Sequence, residues 1–388
     1  MKSKMLLLWL FILSLNLGCK KAYNPPAVTA PSSYLVVEGV INGNSDSTII
    51  KLSRTVNLSQ NTKSKTETNA KLSVEDVSGN IYALKEASSG RYTCAPLNLD
   101  STKKYRLHIQ TNNGKTYFSD YVQFTPTPAI DSIGYHITSN GLQIYANTHD
   151  PKNNTRYYRW DFVETWRFHS KYQSVSITNG TDIVPRRPDQ MIYYCFGSDV
   201  SNNIILGSTE KLQQDVIYQN PITTIVSTSE KIEIKYSILL KQYALTKDAY
   251  LYWQNLKKNT EQLGSIFDAQ PSTSSGNIHN AADPTEPVIG FISATNVKSK
   301  RIFISNDALP PSWQPAYPYN CGTDSVFVNY NGRNQVALFL IPIGSASIPI
   351  YPFYYPGSTA RPDGYISSTI SCTDCTIRGT TKQPVFWK

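Results

Sequence analysis

Six cysteines are the first places to look for chemistry in these 388 residues. Cys19 follows a small residue, Gly18, and an unbroken apolar run from Met5 to Leu15, with Lys2 and Lys4 ahead of it. A short positive region, an apolar stretch of about 7–15 residues and a small residue before the cut describe a signal peptide. A thiol at the cut adds the lipoprotein reading, in which Cys19 takes a diacylglyceryl group. Residues 1–18 are thus expected to be the signal peptide and Cys19 the lipid attachment residue. Asn16 stands where such a motif usually carries an aliphatic residue, and the alternative is an ordinary secretory signal with Cys19 in a disulfide. The apolar run is too short to span a bilayer, and no later segment reaches 18 apolar residues. Both readings place the mature chain outside the cytoplasm.

The other cysteines are Cys94, Cys195, Cys321, Cys372 and Cys375. Disulfides are expected in an oxidising compartment, and an odd count leaves at least one thiol over. Cys195, Cys321, Cys372 and Cys375 are the disulfide candidates, with their connectivity open. Cys372-Thr-Asp-Cys375 also has a metal-binding or redox spacing. A zinc site, however, wants a second close pair, and a thioredoxin-like site wants a strand-to-helix junction in a βαβ unit.

Catalytic templates are absent: there is no H-E-x-x-H, G-x-S-x-G, P-loop or G-x-G-x-x-G. The histidines at 108, 136, 149, 169 and 279 stand singly, and His108 falls within an alternating strand pattern as a packing or surface residue. Asp283 and Glu286 form a close carboxylate pair in a turn-rich loop, read as loop chemistry or a cleft wall. No catalytic residue, metal or cofactor is assigned, although glycosidase carboxylates carry no universal local signature. The best binding candidates are the Pro-rich aromatic clusters: Trp313, Tyr317 and Tyr319, then Tyr351, Phe353, Tyr354 and Tyr355. Exposed aromatic faces stack on sugar rings and anchor protein interfaces. The alternative is that these rings cover sheet ends; of the two binding roles, a protein interface is favoured.

Most of the elements that must position these residues read as strands. From residue 33 to 126 there are about seven short runs. Lys71-Leu-Ser-Val-Glu75 alternates cleanly, and Asn112-Asn113-Gly114 signals a hairpin between Lys104–Gln110 and Thr116–Phe124. This predicts an immunoglobulin-like β-sandwich. Residues 19–32 are expected as a lipidated Pro-rich tether. Thr125–Ile133 reads as a linker, and residues 130–388 as a larger β-rich domain with one inserted α-helix near 246–263. In that domain Gly141–Asn147 and Thr155–Phe168 read as a hairpin of long strands, followed by strands at Lys231–Leu240, Val288–Thr295, Lys300–Ser305 and Val336–Ile343. Thr246 is the helix N-cap and Gly264 its stop, with a Tyr/Trp stripe for packing on a sheet.

Composition agrees with a mainly β class: 26 tyrosines, and charged residues at 17% against about 25% in an average soluble protein. The net charge of +9 is scattered, without the dense stripe or module that nucleic-acid binding uses.

Several ordered motifs then carry a resemblance. They include Tyr34-Leu-Val-Val-Glu-Gly39, Ile130-Asp-Ser-Ile133, Tyr157-Tyr-Arg-Trp160 and Tyr250-Leu-Tyr-Trp253. Ile266-Phe-Asp-Ala-Gln-Pro-Ser272, Gly276-Asn-Ile278, Val288-Ile-Gly-Phe-Ile-Ser293, the Cys372/Cys375 pair, Arg378-Gly379-Thr380 and Lys382-Gln-Pro-Val-Phe-Trp387 follow. Together they resemble the Bacteroidota lipoprotein family labelled domain of unknown function 4249, over nearly the whole mature chain. The resemblance implies an outer-membrane lipoprotein that acts as an accessory or ligand-capturing subunit of a TonB-dependent nutrient transporter. The implied partner is an outer-membrane β-barrel of SusC type, with the membrane held through the N-terminal lipid and the ligand unspecified. Lys20-Lys21 stand where an acidic export signal would favour the cell surface, so surface and periplasmic faces both remain open. The alternatives are a surface hydrolase of glycans or peptides and a structural subunit of an outer-membrane assembly or export complex.

Overall fold

The computed structural model describes residues 33–43, 46–56, 64–261, 276–317, 319–342, 344–358 and 361–388. The signal peptide, Cys19, the tether and the Ile266–Ser272 motif lie outside them. The described chain is mainly β.

Nine strands come first: β1 (Leu35–Asn42), β2 (Thr48–Arg54), β3 (Lys65–Thr66), β4 (Lys71–Asp76), β5 (Ile81–Ser88), β6 (Arg91–Cys94), β7 (Lys104–Gln110), β8 (Thr116–Ser119) and β9 (Val122–Thr125). Strict alternation in β2 and β4 turns Ile50, Leu52, Leu72 and Val74 inward. The predicted hairpin is present between β7 and β8.

Next are β10 (Ile130–Thr138), β11 (Gly141–His149), β12 (Tyr157–His169), β13 (Ser176–Thr178), β14 (Ile183–Pro185), β15 (Tyr194–Val200), β16 (Ile205–Ser208), β17 (Val216–Ile225) and β18 (Lys235–Leu245), then helix α1 (Lys247–Glu261). After the helix come β19 (Ile278–Asn280), β20 (Val288–Ile289), β21 (Ala294–Thr295), β22 (Lys298–Ser305) and β23 (Asp324–Phe327). Helix α2 (Gln335–Phe339), β24 (Ser347–Phe353), β25 (Gly364–Thr369) and the short helix α3 (Ile370–Thr373) complete the chain.

The N-terminal strands differ from the expected immunoglobulin-like sandwich. Their sheet runs β7-β4-β5-β6-β2-β1-β21-β9 and closes where β9 pairs back onto β7, an eight-strand barrel-like ring. Two features turn the sheet into a ring. β5 changes partner from β4 along Ile81–Leu84 to β6 along Lys85–Ser88, where the pairing also shifts register between Glu86 and Ser88. β1 leaves β2 after Val40 and runs parallel to β21 at Ile41 and Asn42. Gly39 sits at that departure with φ 140, and a Cβ there would lie 2.3 Å from the Ile49 carbonyl oxygen. The segment expected within the second domain thus returns to the first: β19 extends β8, β20 pairs β1, and β21 bridges β1 and β9. Gly290, with φ 144 and the Val37 carbonyl against its Cβ position, splits the single strand expected over Val288–Thr295 into β20 and β21.

A two-sheet sandwich lies in the middle of the chain instead. Sheet β10-β11-β17 faces sheet β15-β12-β18-β22, with β16 also on β12. Leu142, Ile144, Ile222 and Ile225 of the first pack against Tyr158, Trp160, Phe168, Ile238 and Leu240 of the second. β11 and β12 are therefore not a hairpin as their sequence suggested, since each pairs within a different sheet. The Pro-containing linker fills the seam beside them: Thr127 Oγ1 meets Thr295 Oγ1 at 2.8 Å and accepts from the Ala244 amide at 2.9 Å.

Helix α1 starts at Thr246, whose Oγ1 accepts from the Ala249 amide. Its stripe packs on the sheet as expected: Tyr250 against Tyr157, and Trp253 on Arg159, which also lies over Tyr243. A separate small sheet, β23-β25-β24, packs Val326 and Tyr365 against Val336, Leu340 and Ile183. Val336 belongs to α2 here rather than to the strand expected over Val336–Ile343. Asn334 caps the Ala337 amide, and the inward pair Val336/Leu340 keeps a spacing of four.

Candidate functional site

The small C-terminal sheet turns one side to its own core and the other to solvent. Register places Phe327 and Phe353 on either side of Gly364, and Tyr351 beside Ile366. Alternation puts all of these on the side opposite the buried Val326 and Tyr365. Gly364 has a definite part: a Cβ there would lie 2.4 Å from Phe353 Cζ and 2.5 Å from the Val326 carbonyl oxygen. Without a side chain in the middle strand, the flanking rings close over it. Phe327 and Phe353 meet edge to face at 5.5 Å, Tyr355 adds to Phe353 at 5.9 Å, and Tyr330 lies 5.5 Å from Phe327.

Tyr330, Tyr351 and Tyr355 each keep about half their surface exposed, which makes an exposed aromatic face, and Tyr354, also half exposed, follows Phe353 on its flank. Two turns hold its rim. The Tyr355 amide donates to Asp363 Oδ2 at 2.7 Å, and the Asp363 amide to the Phe353 carbonyl at 3.0 Å. Tyr330 and Arg333 exchange both backbone hydrogen bonds around Asn331-Gly332, which have φ 51 and 78. Positive φ at both central residues is the geometry of a tight hairpin turn. The Asn-Gly pair is the sequence signal that could have drawn Phe327 and Tyr330 into the candidate set.

Four of the seven aromatic candidates, Tyr351, Phe353, Tyr354 and Tyr355, thus belong to this sheet and its flank. The other three sit elsewhere. Trp313 packs against the sandwich core. Tyr317 donates to Glu233 Oε1 at 2.6 Å, and His169 Nε2 lies 3.3 Å from the same oxygen. Burial, then the hydrogen bond to Glu233, pushes the Tyr317 phenol well above its usual range. Tyr319 lies beneath Arg378, whose guanidinium also covers Phe168 and pairs with Glu230 at 2.5 Å. These three bind the C-terminal chain to the sandwich.

The four cysteine candidates form two nested bridges, Cys195–Cys375 and, within its loop, Cys321–Cys372, and Cys94 is left as a thiol. The C-x-x-C pair is therefore two structural half-cystines with different partners. Asp283 and Glu286 do not act as a couple. Asp283 accepts from the Thr285 amide and hydroxyl, while Glu286 binds Lys115 at 2.8 Å, the Tyr117 hydroxyl at 2.9 Å and the Asn280 amide. Among the described residues, no group of three His, Cys, Asp or Glu side chains could hold a metal ion, and no helix is long and apolar enough to cross a membrane.

The family model described as Domain of unknown function (DUF4249) matches residues 20–301, which leaves the aromatic sheet beyond the matched span. No curated protein matches the sequence. Among solved structures, Chitinase ChiA74 from Bacillus thuringiensis is similar at 13% identity with a TM-score of 0.15, over 47% of this chain and 30% of that one. A likeness that slight carries no argument about either fold or activity.

Proposed function

The chain belongs to the DUF4249 family, and on that premise we propose that it is an outer-membrane lipoprotein serving as an accessory or ligand-capturing subunit of a SusC-type TonB-dependent transporter. Lipid on Cys19 and the Pro-rich tether hold the body at the membrane, and the aromatic face of the C-terminal sheet docks on the β-barrel. The observation that carries this reading is the ring cluster around Gly364. Half-exposed tyrosines over two close-packed phenylalanines supply large contact area at small entropic cost, which is the composition of an interface anchor.

The test is co-purification. The lipoprotein, extracted in mild detergent, brings down a SusC-type barrel identified by mass spectrometry, and the Tyr351→Ala/Tyr355→Ala variant keeps its fold but loses the barrel. Recovery of the lipoprotein alone overturns the proposal. Cys19→Ala shifts the chain from the membrane to the soluble fraction; unchanged membrane association removes the lipid anchor from it.

A further inference from the structure

Glu164 occupies a core position. It follows Phe162 and precedes Trp166 in the inward-facing series of β12, and it is 3% exposed. Its Oε1 accepts from the Tyr236 hydroxyl at 2.7 Å, and its Oε2 pairs with Lys231 Nζ. Lys231 lies 5.0 Å over the Trp166 ring and 3.7 Å from Asp199 Oδ2. Asp199 is the direct cross-strand partner of Glu164, so two carboxylates stand side by side where like charges repel. A buried ion pair adds little stability over well-packed apolar side chains of the same volume. The fold gains little from this arrangement, and another use accounts for it better.

That use is visible in front of it. Glu164, Asp199 and Lys231 line a cavity of about 380 Å3 at the open edge between the two sandwich sheets, within the range of small-molecule sites, roughly 300–1,000 Å3. Neutral hydroxyls and amides supply most of the remaining polar lining: Ser201, Asn202, Asn203, Thr223, Thr224 and Ser229. Val200, Ile222 and Val226 form an apolar wall. Lys231 is already matched by two carboxylates, so an anion meets no unpaired cation. A ring of hydroxyls fits both chemistries of the site. Each hydroxyl donates to a carboxylate and accepts from an amide or ammonium N–H, and the C–H face lies on the apolar wall.

We propose that this cavity binds a neutral polyhydroxylated small molecule, a sugar unit, with Glu164 and Asp199 accepting from its hydroxyls and Lys231 donating to one. The proposal names a ligand class for the capture role above and rests on that reading only for its purpose.

The intact lipoprotein in mild detergent, without any transporter, is titrated calorimetrically with glucose, galactose, mannose and maltose, and with butylammonium chloride and inorganic phosphate as charge probes. At least one sugar is expected to bind with a Kd below about 10 mM, and binding weakens about tenfold or more in Asp199→Asn and in Glu164→Gln. Asp199 is 60% exposed on its side chain, so its variant keeps the fold even if the core variant does not. Three results overturn the proposal: no sugar binding to the wild type, a folded Asp199→Asn protein with undiminished sugar binding, or butylammonium or phosphate binding more tightly than every sugar. Sugar binding by a lipoprotein that purifies without a barrel sinks the docking reading alone. A barrel partner with no sugar binding sinks this one alone.

Discussion

Gln242 shows how one side chain can join three parts of the molecule. It is fully buried on β18; its Oε1 accepts from the Trp160 indole at 2.8 Å, and its Nε2 donates to the Pro128 carbonyl at 3.0 Å and to Thr148 Oγ1 at 2.9 Å. Linker and both sandwich sheets thus meet at one amide. Gln242→Leu leaves a buried indole N–H and a carbonyl unmatched, at a cost of about 1–3 kcal/mol each. Urea unfolding should show a loss of roughly 3 kcal/mol, and a loss under 1 kcal/mol would refute this role. Asp76 makes a pH-dependent counterpart in the barrel. Hydrogen bonds from the Asn80 side chain and backbone, Lys103 and the Ser78 amide hold its carboxyl far below the usual range. A depressed folded-state pKa gives stability present above the unfolded value, near 3.9, and lost as pH falls below it. Melting temperatures of wild type and Asp76→Asn should therefore differ most near neutrality and converge on acidification below about pH 4. None of this pairing is legible in sequence, because Gln242 and Asp76 look like any polar residue in an alternating strand.

Local patterns announced most elements, while their pairing partners stayed hidden. The alternation over Lys71–Glu75 and the Asn-Asn-Gly turn became β4 and the β7–β8 hairpin, and Thr246 caps α1. β21 is two residues long, too short for any periodicity, yet it completes the barrel ring. A signal read in windows cannot show that Ala294 pairs with both Ile41 and Phe124. Two consequences test this closure. A fragment of residues 33–126 lacks β19, β20 and β21 and leaves β1 and β9 with open edges, which invites aggregation. Circular dichroism and size exclusion should find it unfolded or associated; a monomeric, cooperatively melting fragment would contradict the topology. In the aromatic sheet, Gly364→Val should drive Phe353 off the middle strand, quench the ring cluster in near-ultraviolet dichroism, and lower stability by about 1–3 kcal/mol.

Across the whole molecule, one bridge clasps the last residues to β15 of the sandwich and the other ties the C-terminal region to itself. Cys195–Cys375 spans 180 residues and Cys321–Cys372 spans 51. Loops of that length give each bridge about 2–4 kcal/mol by restricting the unfolded chain. Composition and compartment made disulfides expected, but nothing along the chain distinguishes the nested pairing from a local 372–375 loop; only the fold brings β15 beside the C-terminal turn. Non-reducing peptide mapping should recover 195–375 and 321–372 cross-linked peptides. The Cys94 thiol, half-buried beside Thr48 and pushed up by that burial, should react with Ellman's reagent slowly in the native protein and at once in guanidinium. Recovery of a 372–375 loop would refute the pairing.

The two residues of β21 also set a timetable. A chain made or exported from its N-terminus presents seven of the ring's eight strands long before Ala294 arrives, and the sandwich strands β10 to β18 come between. The first unit in sequence is thus among the last to be finished. Until residue 295 is delivered, the free flanks of β1 and β9 are sticky, so whatever escorts this protein must protect its beginning longest.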